Sequence, residues 1–111
     1  MLQSSLAFSG FTVKSLDEAN DFYSNVLGLK VEDTGMGLRV HLGGDHQAFM
    51  YQKDTQVAAD YTILNFPVDN IDAAVDALDA KGVLRSRQAG YGPDIAWFKD
   101  PSGNILSVLS S

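Results

Sequence analysis

The sequence contains no cysteine and only two histidines among its 111 residues. The absence of thiols excludes disulfides, thiolate metal sites and a cysteine nucleophile. Basic residues are also scarce, with 8 Lys+Arg against 14 Asp+Glu and a net charge of -6. A surface of that sign repels phosphate backbones and anionic lipid headgroups, so we expect neither nucleic acid nor a membrane surface as a partner.

Long apolar runs are absent as well. No stretch is long enough to span a bilayer, and the first residues lack the basic segment and apolar run of a secretory signal. We therefore expect a cytoplasmic protein. With 45% hydrophobic and 20% charged residues, the chain has the composition and length of one globular domain, covering residues 1–111.

What the sequence does contain is a pattern of one strand, one helix and three short strands. Residues 6–13 are rich in aromatic and β-branched side chains, which predicts a strand. Ser15, followed three residues later by Glu18, forms a capping-box pattern that opens a helix, and Gly28 is placed to end it. Three further short strands are predicted between glycine-rich turns, at residues 29–31, 38–42 and 48–52.

The same pattern starts again after a polar connector at residues 54–60. Phe66-Pro67-Val68 repeats Phe11-Thr12-Val13 at a shift of 55 positions (66 − 11). Asn70 caps the second helix and Gly82 ends it. The strands of this half are predicted at residues 61–68, 83–85, 95–99 and 105–109. The fold class is therefore α+β, with tandem βαβββ modules at residues 1–53 and 61–111 that must pack together or against another chain.

Three stretches carry a resemblance to a known family. They are Val13–Ala19 running into Phe22-Tyr23-Ser24-Asn25-Val26-Leu27-Gly28-Leu29, then Phe66–Ala74 with Lys81-Gly82-Val83, and finally Phe98-Lys99-Asp100-Pro101-Ser102-Gly103-Asn104. In this order they resemble the vicinal oxygen chelate superfamily of glyoxalases, bleomycin resistance proteins and dihydroxybiphenyl dioxygenases. The resemblance implies curved mixed sheets around a cleft, in a homodimer. It also implies either metal chemistry on vicinal substrate oxygens or sequestration of a small molecule.

The resemblance further implies four metal-ligand positions, which fall on Phe8, Ile63, Ser107 and, by overlay of the modules, Met50. Carbon side chains cannot coordinate a divalent cation, and a serine hydroxyl or a thioether is a poor ligand for one. We therefore expect no metal and no other cofactor. His41 and His46 are a weak replacement, because they lie five residues apart across a turn rather than two apart on one strand.

Strand alternation predicts which side chains line the cleft. Leu38, Val40 and Leu42 should face the helices, so that Arg39 and His41 face the other way. The full predicted set of cleft residues is Phe8, Arg39, His41, Met50, Ile63, Asn65, Tyr91, Trp97 and Ser107. Arg39 either pairs with a ligand carboxylate or phosphate or is a solvated charge, and Trp97 either stacks on a planar ligand or packs in the core.

Two functions are compatible with this pattern. The first is metal-independent binding of a small organic molecule in an apolar cleft, as in bleomycin-resistance-like sequestration. The alternative is a glyoxalase-related lyase or isomerase, or another enzyme acting on a small carbonyl substrate, with His41 and Arg39 or Tyr51 as acid and base. The sequence offers no Ser-His-Asp arrangement, so we assign no catalytic residue.

Overall fold

Both helices begin at the capping residues that the sequence predicts. In a computed structural model of the chain, which describes residues 1–88 and 94–111, Oγ of Ser15 accepts a 3.2 Å hydrogen bond from the Glu18 backbone N–H. The second cap has the same geometry, with Oδ1 of Asn70 accepting a 3.0 Å bond from the Ala73 N–H. Each cap satisfies one of the donors that a helix start leaves unpaired, and so fixes where the helix begins.

The helix ends also follow the sequence. Helix α1 (Leu16–Asp21) runs directly into a π-helical stretch, Phe22–Val26, and Gly28 follows with φ of +73°. Helix α2 (Ile71–Ala80) is followed by Gly82, also with φ of +73°. Glycine adopts this left-handed conformation without steric penalty, which explains why each helix terminates there.

The first half forms a four-stranded mixed sheet. Its strands are β1 (Ser9–Val13), β2 (Lys30–Asp33), β3 (Leu38–His41) and β4 (Gln47–Gln52), in the spatial order β1-β4-β3-β2. Strands β1 and β4 pair in parallel, whereas the β2–β3 and β3–β4 pairs are antiparallel.

The second half repeats this arrangement. Its strands are β5 (Thr62–Val68), β6 (Leu84–Gln88), β7 (Ile95–Lys99) and β8 (Ile105–Ser110), in the order β5-β8-β7-β6, again with one parallel pair, β5 with β8. The matching orders confirm the predicted α+β fold of two tandem βαβββ modules.

Each module is a compact unit with its own core, the first spanning Met1–Gln56 and the second Val57–Ser111. The core of the first unit is formed by Val13, Ala19, Phe22, Tyr23, Leu38, Val40, Ala48 and Met50. The core of the second unit contains Leu64, Val75, Leu78, Ala96, Phe98, Leu106 and Val108. No helix in the described ranges is long and apolar enough to cross a membrane.

The first predicted strand is too long at its N-terminal end. β1 starts at Ser9 rather than at residue 6, because its pairing with the parallel strand β4 begins there, with Ser9 opposite Ala48. Phe8 therefore precedes the strand and is 66% exposed. Without ladder hydrogen bonds, the strand propensity of Phe8 is not enough to extend the strand to residue 6.

The Asp100–Asn104 turn is held by its own side chains. Oδ1 of Asp100 accepts 2.9 Å bonds from the backbone N–H groups of Ser102 and Asn104, and Gly103 adopts φ of +86°. Oδ2 of Asp100 accepts a further 2.9 Å bond from Nδ2 of Asn104. Because the buried carboxylate is fully used in this way, the turn has a structural role and orients the start of β8.

Candidate functional site

The site-forming surface of the first unit is the face of its sheet opposite the helix, here called the first far face. Leu38 and Val40 are buried, whereas Arg39 and His41, which alternate with them along β3, are partly exposed. Arg39 pairs in register with Phe49, and His41 with Gln47, so these four side chains share the far face. The prediction that Arg39 and His41 point away from the helix is therefore correct.

Met50 does not belong to this surface, and its prediction as a cleft residue is wrong. Its side chain is fully buried, and it pairs with Leu38 on the face that packs against α1. The strand register identifies the true equivalent of Ser107. Asn65 pairs with Ser107 in the second unit, and Gly10, 55 positions earlier (65 − 10), pairs with Phe49. The module overlay was thus one residue out of register, which transfers a side chain to the opposite face of a strand.

A small charge cluster lies on the first far face. Glu32 on β2 pairs in register with Arg39, and its Oε2 lies 3.9 Å from Nη1 of that arginine. A hydrogen bond also joins Oε1 of Glu32 to Nε2 of His41. This hydrogen bond holds the pKa of the Glu32 carboxyl below its usual value, and the charges of His41, Lys30 and Arg39 act in the same direction.

Sequence reasoning missed Glu32 because the predicted second strand stopped at residue 31. The glycine-rich turn predicted before residue 38 lies at Gly35-Met36-Gly37, and the hairpin register around it brings residue 32 opposite residue 39. Continuing the strand to that turn would have revealed the pair.

The first far face has little room for a ligand by itself. Phe8, Arg39, Gln47, Ala48 and Phe49 enclose a hollow of about 70 Å³. Pockets for small organic ligands commonly have volumes of several hundred Å³. The hollow therefore suits one or two water molecules or a single functional group of a ligand.

The far face of the second sheet carries one row of polar and aromatic side chains. Asn65, Ser107, Trp97 and Ser86 pair in register across β5, β8, β7 and β6. Oγ of Ser107 donates a 2.6 Å hydrogen bond to Oδ1 of Asn65, and Ser107 is fully buried. Trp97 is half-buried, and its indole N–H makes no hydrogen bond to another residue of the described ranges. Ile63, Asn65, Trp97 and Ser107 thus lie in one region of the second sheet.

Both edge strands of the second sheet are irregular at the same end. On β5 the register shifts between Thr62 and Leu64, which leaves Ile63 as the extra residue. On β6 it shifts between Leu84 and Ser86, which leaves Arg85 as the extra residue. Such bulges bend a strand and redirect side chains, and they are common beside functional sites.

A pocket of about 310 Å³ opens between these two irregularities. It is lined by Asp60, Tyr61, Thr62, Arg85, Ser86, Trp97, Phe98, Lys99 and Ile105. The lining combines aromatic surface with three hydroxyl groups, two cations and one carboxylate. Its volume is at the lower end of the range for small-molecule sites.

The divalent metal that the resemblance implies does not fit the residues present. Phe8, Ile63 and Phe49, which replaces Met50 in the corrected register, have hydrocarbon side chains. The fourth position is Ser107, whose hydroxyl donates a hydrogen bond to Asn65. Within residues 1–88 and 94–111, no three His, Asp or Glu side chains come together in a way that suits a metal. His46 is exposed in the turn after β3, and Tyr91 lies outside the described residues.

Comparison with solved structures shows the same fold in several proteins. The glyoxalase family protein from Enterococcus faecalis superposes with a TM-score of 0.76 at 19% identity, covering 99% of this chain and 100% of that one. The fosfomycin resistance protein FosX from Listeria monocytogenes gives 0.81 at 15% identity, covering 97% and 93%. Lactoylglutathione lyase from Agrobacterium tumefaciens gives 0.72 at 19% identity, covering 100% and 96%.

No curated protein sequence matches the chain significantly. The family model described as the glyoxalase/bleomycin resistance protein/dioxygenase superfamily does match, over residues 5–108. That span begins before β1 and ends within β8, so it covers nearly all of both βαβββ modules. The chain therefore belongs to the glyoxalase/bleomycin resistance protein/dioxygenase superfamily.

Proposed function

We propose that this protein binds a small organic molecule without a metal ion, in the pocket of its second unit. The observation that carries the proposal is the position of the pocket. Trp97 of its lining pairs with Ser107, and Thr62 precedes Ile63, so the pocket adjoins two positions that the family resemblance assigns to metal ligands. A ligand-sized space thus lies beside two positions whose side chains are not metal donors.

The lining supports binding rather than metal-assisted chemistry. Trp97, Tyr61 and Ile105 offer apolar and aromatic surface, while Thr62 and Ser86 offer hydroxyl groups. Small-molecule sites commonly combine such a surface with a few polar groups that orient the ligand. The solved structures of similar fold include a fosfomycin resistance protein. Sequestration of a small molecule is the role that we propose for the pocket of this chain.

A thermal-shift screen tests the proposal. Protein dialysed against a chelator is screened with small acids, aldehydes and antibiotics, and each hit is measured again with Mg²⁺, Mn²⁺ or Zn²⁺ added. We expect hits that stabilise the protein equally with and without metal. This stabilisation should be lost in Trp97→Ala. Stabilisation by a metal alone, or hits that require the metal, would contradict the proposal.

Arg39 is tested in the same screen, because the sequence predicts that it pairs with an acidic ligand. In the structure it borders the small hollow of the first far face and lies 3.9 Å from Glu32. Hits held in the pocket of the second unit are expected to keep their affinity in Arg39→Ala, whereas hits that bind on the first far face instead lose affinity. Unchanged affinity confines the ligand to the pocket of the second unit.

The second candidate function is acid–base catalysis on a small carbonyl compound. It is favoured by one observation, the hydrogen bond between His41 and Glu32, which orients an imidazole beside Arg39. A positioned imidazole of this kind is a common general base. Turnover of a hemithioacetal that is abolished by His41→Asn, with thermal stability retained, would support this candidate and contradict simple binding.

We also propose a homodimer and a cytoplasmic location, as the family resemblance and the sequence suggest. Several large apolar side chains are exposed on the single chain, among them Leu6, Phe8, Val57 and Tyr61. Large apolar side chains that a single chain leaves exposed are often covered at an interface between chains. Light scattering coupled to gel filtration measures the mass in solution, and a value of one chain would contradict the dimer.

A further inference from the structure

We propose that the pocket of the second unit takes a planar organic anion, with its ring against Trp97 and its carboxylate or phosphate group held by Arg85 and Lys99. The inference rests on the proposed function and specifies its ligand. It follows from the charges, the strand irregularities and the aromatic side chains of the pocket, which point to the same chemistry.

The first argument is that Arg85 differs from the other two arginines of the chain. Arg39 has a carboxylate partner in Glu32, and Arg87 bridges Asp72 and Asp94 at 2.7 and 2.8 Å. Arg85 makes no ion pair or hydrogen bond through its side chain to any residue of the described ranges. In a chain of net charge -6, an arginine that lines a pocket without a carboxylate partner is available to an anionic ligand.

Lys99 provides a second cation in the same pocket. It too has no carboxylate partner within the described ranges, and it pairs in register with Ile105 of the lining. Asp60 is the one carboxylate that contributes to the lining, and it forms no ion pair with either cation. The two cations therefore outnumber the carboxylate, and the lining favours a negatively charged ligand.

The irregularity of β6 explains how an edge-strand arginine comes to line the pocket. Leu84 pairs with Phe98 of the core and Ser86 pairs with Trp97 of the far face, so Arg85 is the extra residue between them. A regular strand would place it by simple alternation, whereas a bulge redirects it. The register of the first sheet shows no such shift, so this feature distinguishes the second unit from its repeat.

The aromatic side chains of the pocket favour a planar ring in the ligand. Trp97 is half-buried with its indole N–H unused by the described residues, and Tyr61 is 68% exposed at the pocket. Aromatic rings of this kind stack on planar groups, and the free N–H can donate to an acceptor on the ligand. A volume of about 310 Å³ accommodates a one-ring compound with an acidic group.

The experiment uses Trp97 as a reporter, since it is the only tryptophan of the chain. Its indole N–H therefore gives one cross peak in a ¹⁵N-correlated NMR spectrum of the whole protein. The peak is followed during titration with benzoate, with phenyl phosphate, with the uncharged isostere benzamide and with the non-aromatic cyclohexanecarboxylate. We expect a saturable shift with at least one of the two aromatic anions and binding about tenfold weaker for benzamide, because a charge-assisted contact is lost.

Three variants locate the anionic group. Arg85→Gln and Lys99→Gln remove one charge each from exposed side chains and are expected to weaken aromatic-anion binding about tenfold each while leaving the thermal midpoint unchanged. Arg39→Gln is the matched control on the first far face and is expected to leave the affinity unchanged. Benzoate and phenyl phosphate distinguish a preference for carboxylate from one for phosphate.

Two outcomes would overturn the inference. If benzamide binds as tightly as benzoate and phenyl phosphate, the pocket does not recognise charge. Aromatic-anion binding that is weakened by Arg39→Gln but not by Arg85→Gln or Lys99→Gln would place the anion on the first unit. The first outcome would leave the proposed function standing, since a ligand would still occupy the pocket without metal. The second outcome would also move the binding site away from the pocket of the second unit, and a screen without any hit would contradict binding altogether.

Discussion

Oγ of Ser107 donates a 2.6 Å hydrogen bond to Oδ1 of Asn65, across the parallel pair of strands β8 and β5. The two residues differ in exposure, because Ser107 is fully buried whereas Asn65 is exposed. Ser107 occupies a position that the family resemblance assigns to a metal ligand. Its hydroxyl serves instead to connect an edge strand to its neighbour.

Ser107→Ala should therefore destabilise the protein. Loss of a buried hydrogen bond costs about 1 kcal/mol of the free energy of unfolding, and the cost is kept modest because the exposed Asn65 amide can bond to water. Urea denaturation of the variant and the parent measures the difference.

The matched control for that experiment is Ser86→Ala. Ser86 lies in the same row on the far face of the second sheet, but it is exposed and its hydroxyl has no partner among the described residues. We expect its stability to stay within about 0.5 kcal/mol of the parent. Equal losses in the two variants would show that the hydrogen bond contributes nothing.

The pair formed by Glu32 and His41 should make stability depend on pH in the acid range. The hydrogen bond from His41 lowers the pKa of Glu32 in the folded state below its usual 4.5. The unfolded state therefore binds the proton more readily, and the contribution of the pair is complete above pH 4.5 and is lost as the pH falls through the folded-state pKa. Glu32→Gln removes this contribution.

Thermal midpoints measured from pH 7 to pH 3 check that expectation. The gap between the parent and Glu32→Gln should be widest near neutral pH and should close as the solution becomes more acidic. Glu18→Gln is the control, since Glu18 is the other glutamate of the chain, is exposed on α1 and has no ion pair within the described ranges. A gap for Glu32→Gln that is constant over the whole range would contradict the assignment.

Much of the fold was predictable because local signals determine it. Ser15 and Asn70 cap their helices through their own side chains, and Gly28 and Gly82 end them through a backbone conformation that suits glycine. These signals lie within a few residues of the structure they produce. The repeat then extended the prediction from one module to the other.

The errors concern contacts between distant parts of the chain. Met50 was placed on the wrong face because the register of β4 depends on its pairing with β1 and β3. The bulges in which Ile63 and Arg85 are the unpaired extra residues contain no glycine or proline that would indicate them in the sequence. They result from the pairing of each edge strand with its neighbour. The pocket that includes Arg85 and Lys99 could not be predicted for that reason.

The ion cluster around Arg87 should stabilise the second unit in a salt-dependent way. Nη2 of Arg87 lies 2.7 Å from Asp72 at the start of α2 and 2.8 Å from Asp94 before β7. The hydrogen bonds from Arg87 lower the pKa of Asp94, and Arg87 itself stays protonated. Arg87→Gln is expected to lower the thermal midpoint in dilute buffer, and the loss should shrink in 1 M NaCl because salt screens partly exposed charges.

Arg85→Gln is the control for that measurement as well. It removes the same charge two residues away, from a side chain that has no carboxylate partner in the described ranges. We expect no loss of thermal stability in dilute buffer from this variant. If both arginine variants respond to salt in the same way, net charge rather than the cluster around Arg87 is responsible.

Gly37 should be the glycine of the first unit that least tolerates a side chain. A Cβ built at Gly37 would lie 2.3 Å from the carbonyl oxygen of Met50 and 2.7 Å from Cζ of Phe49. The first of these neighbours is backbone in the centre of the sheet and cannot move without disturbing β4. Gly37→Ala is therefore expected to cost about 1–3 kcal/mol of the free energy of unfolding, the usual range for overpacking.

Gly43→Ala is the matched substitution, since nothing lies within 4 Å of a Cβ built there and its backbone is not left-handed. It should leave stability unchanged or raise it by up to about 1 kcal/mol, because alanine restricts the unfolded chain. Urea denaturation of both variants measures the contrast. Similar stabilities would mean that β4 relaxes away from Gly37, and Phe49, whose ring is the other close neighbour, would then move within the first far face. Such a shift would also change the hollow that Phe49 forms with Arg39.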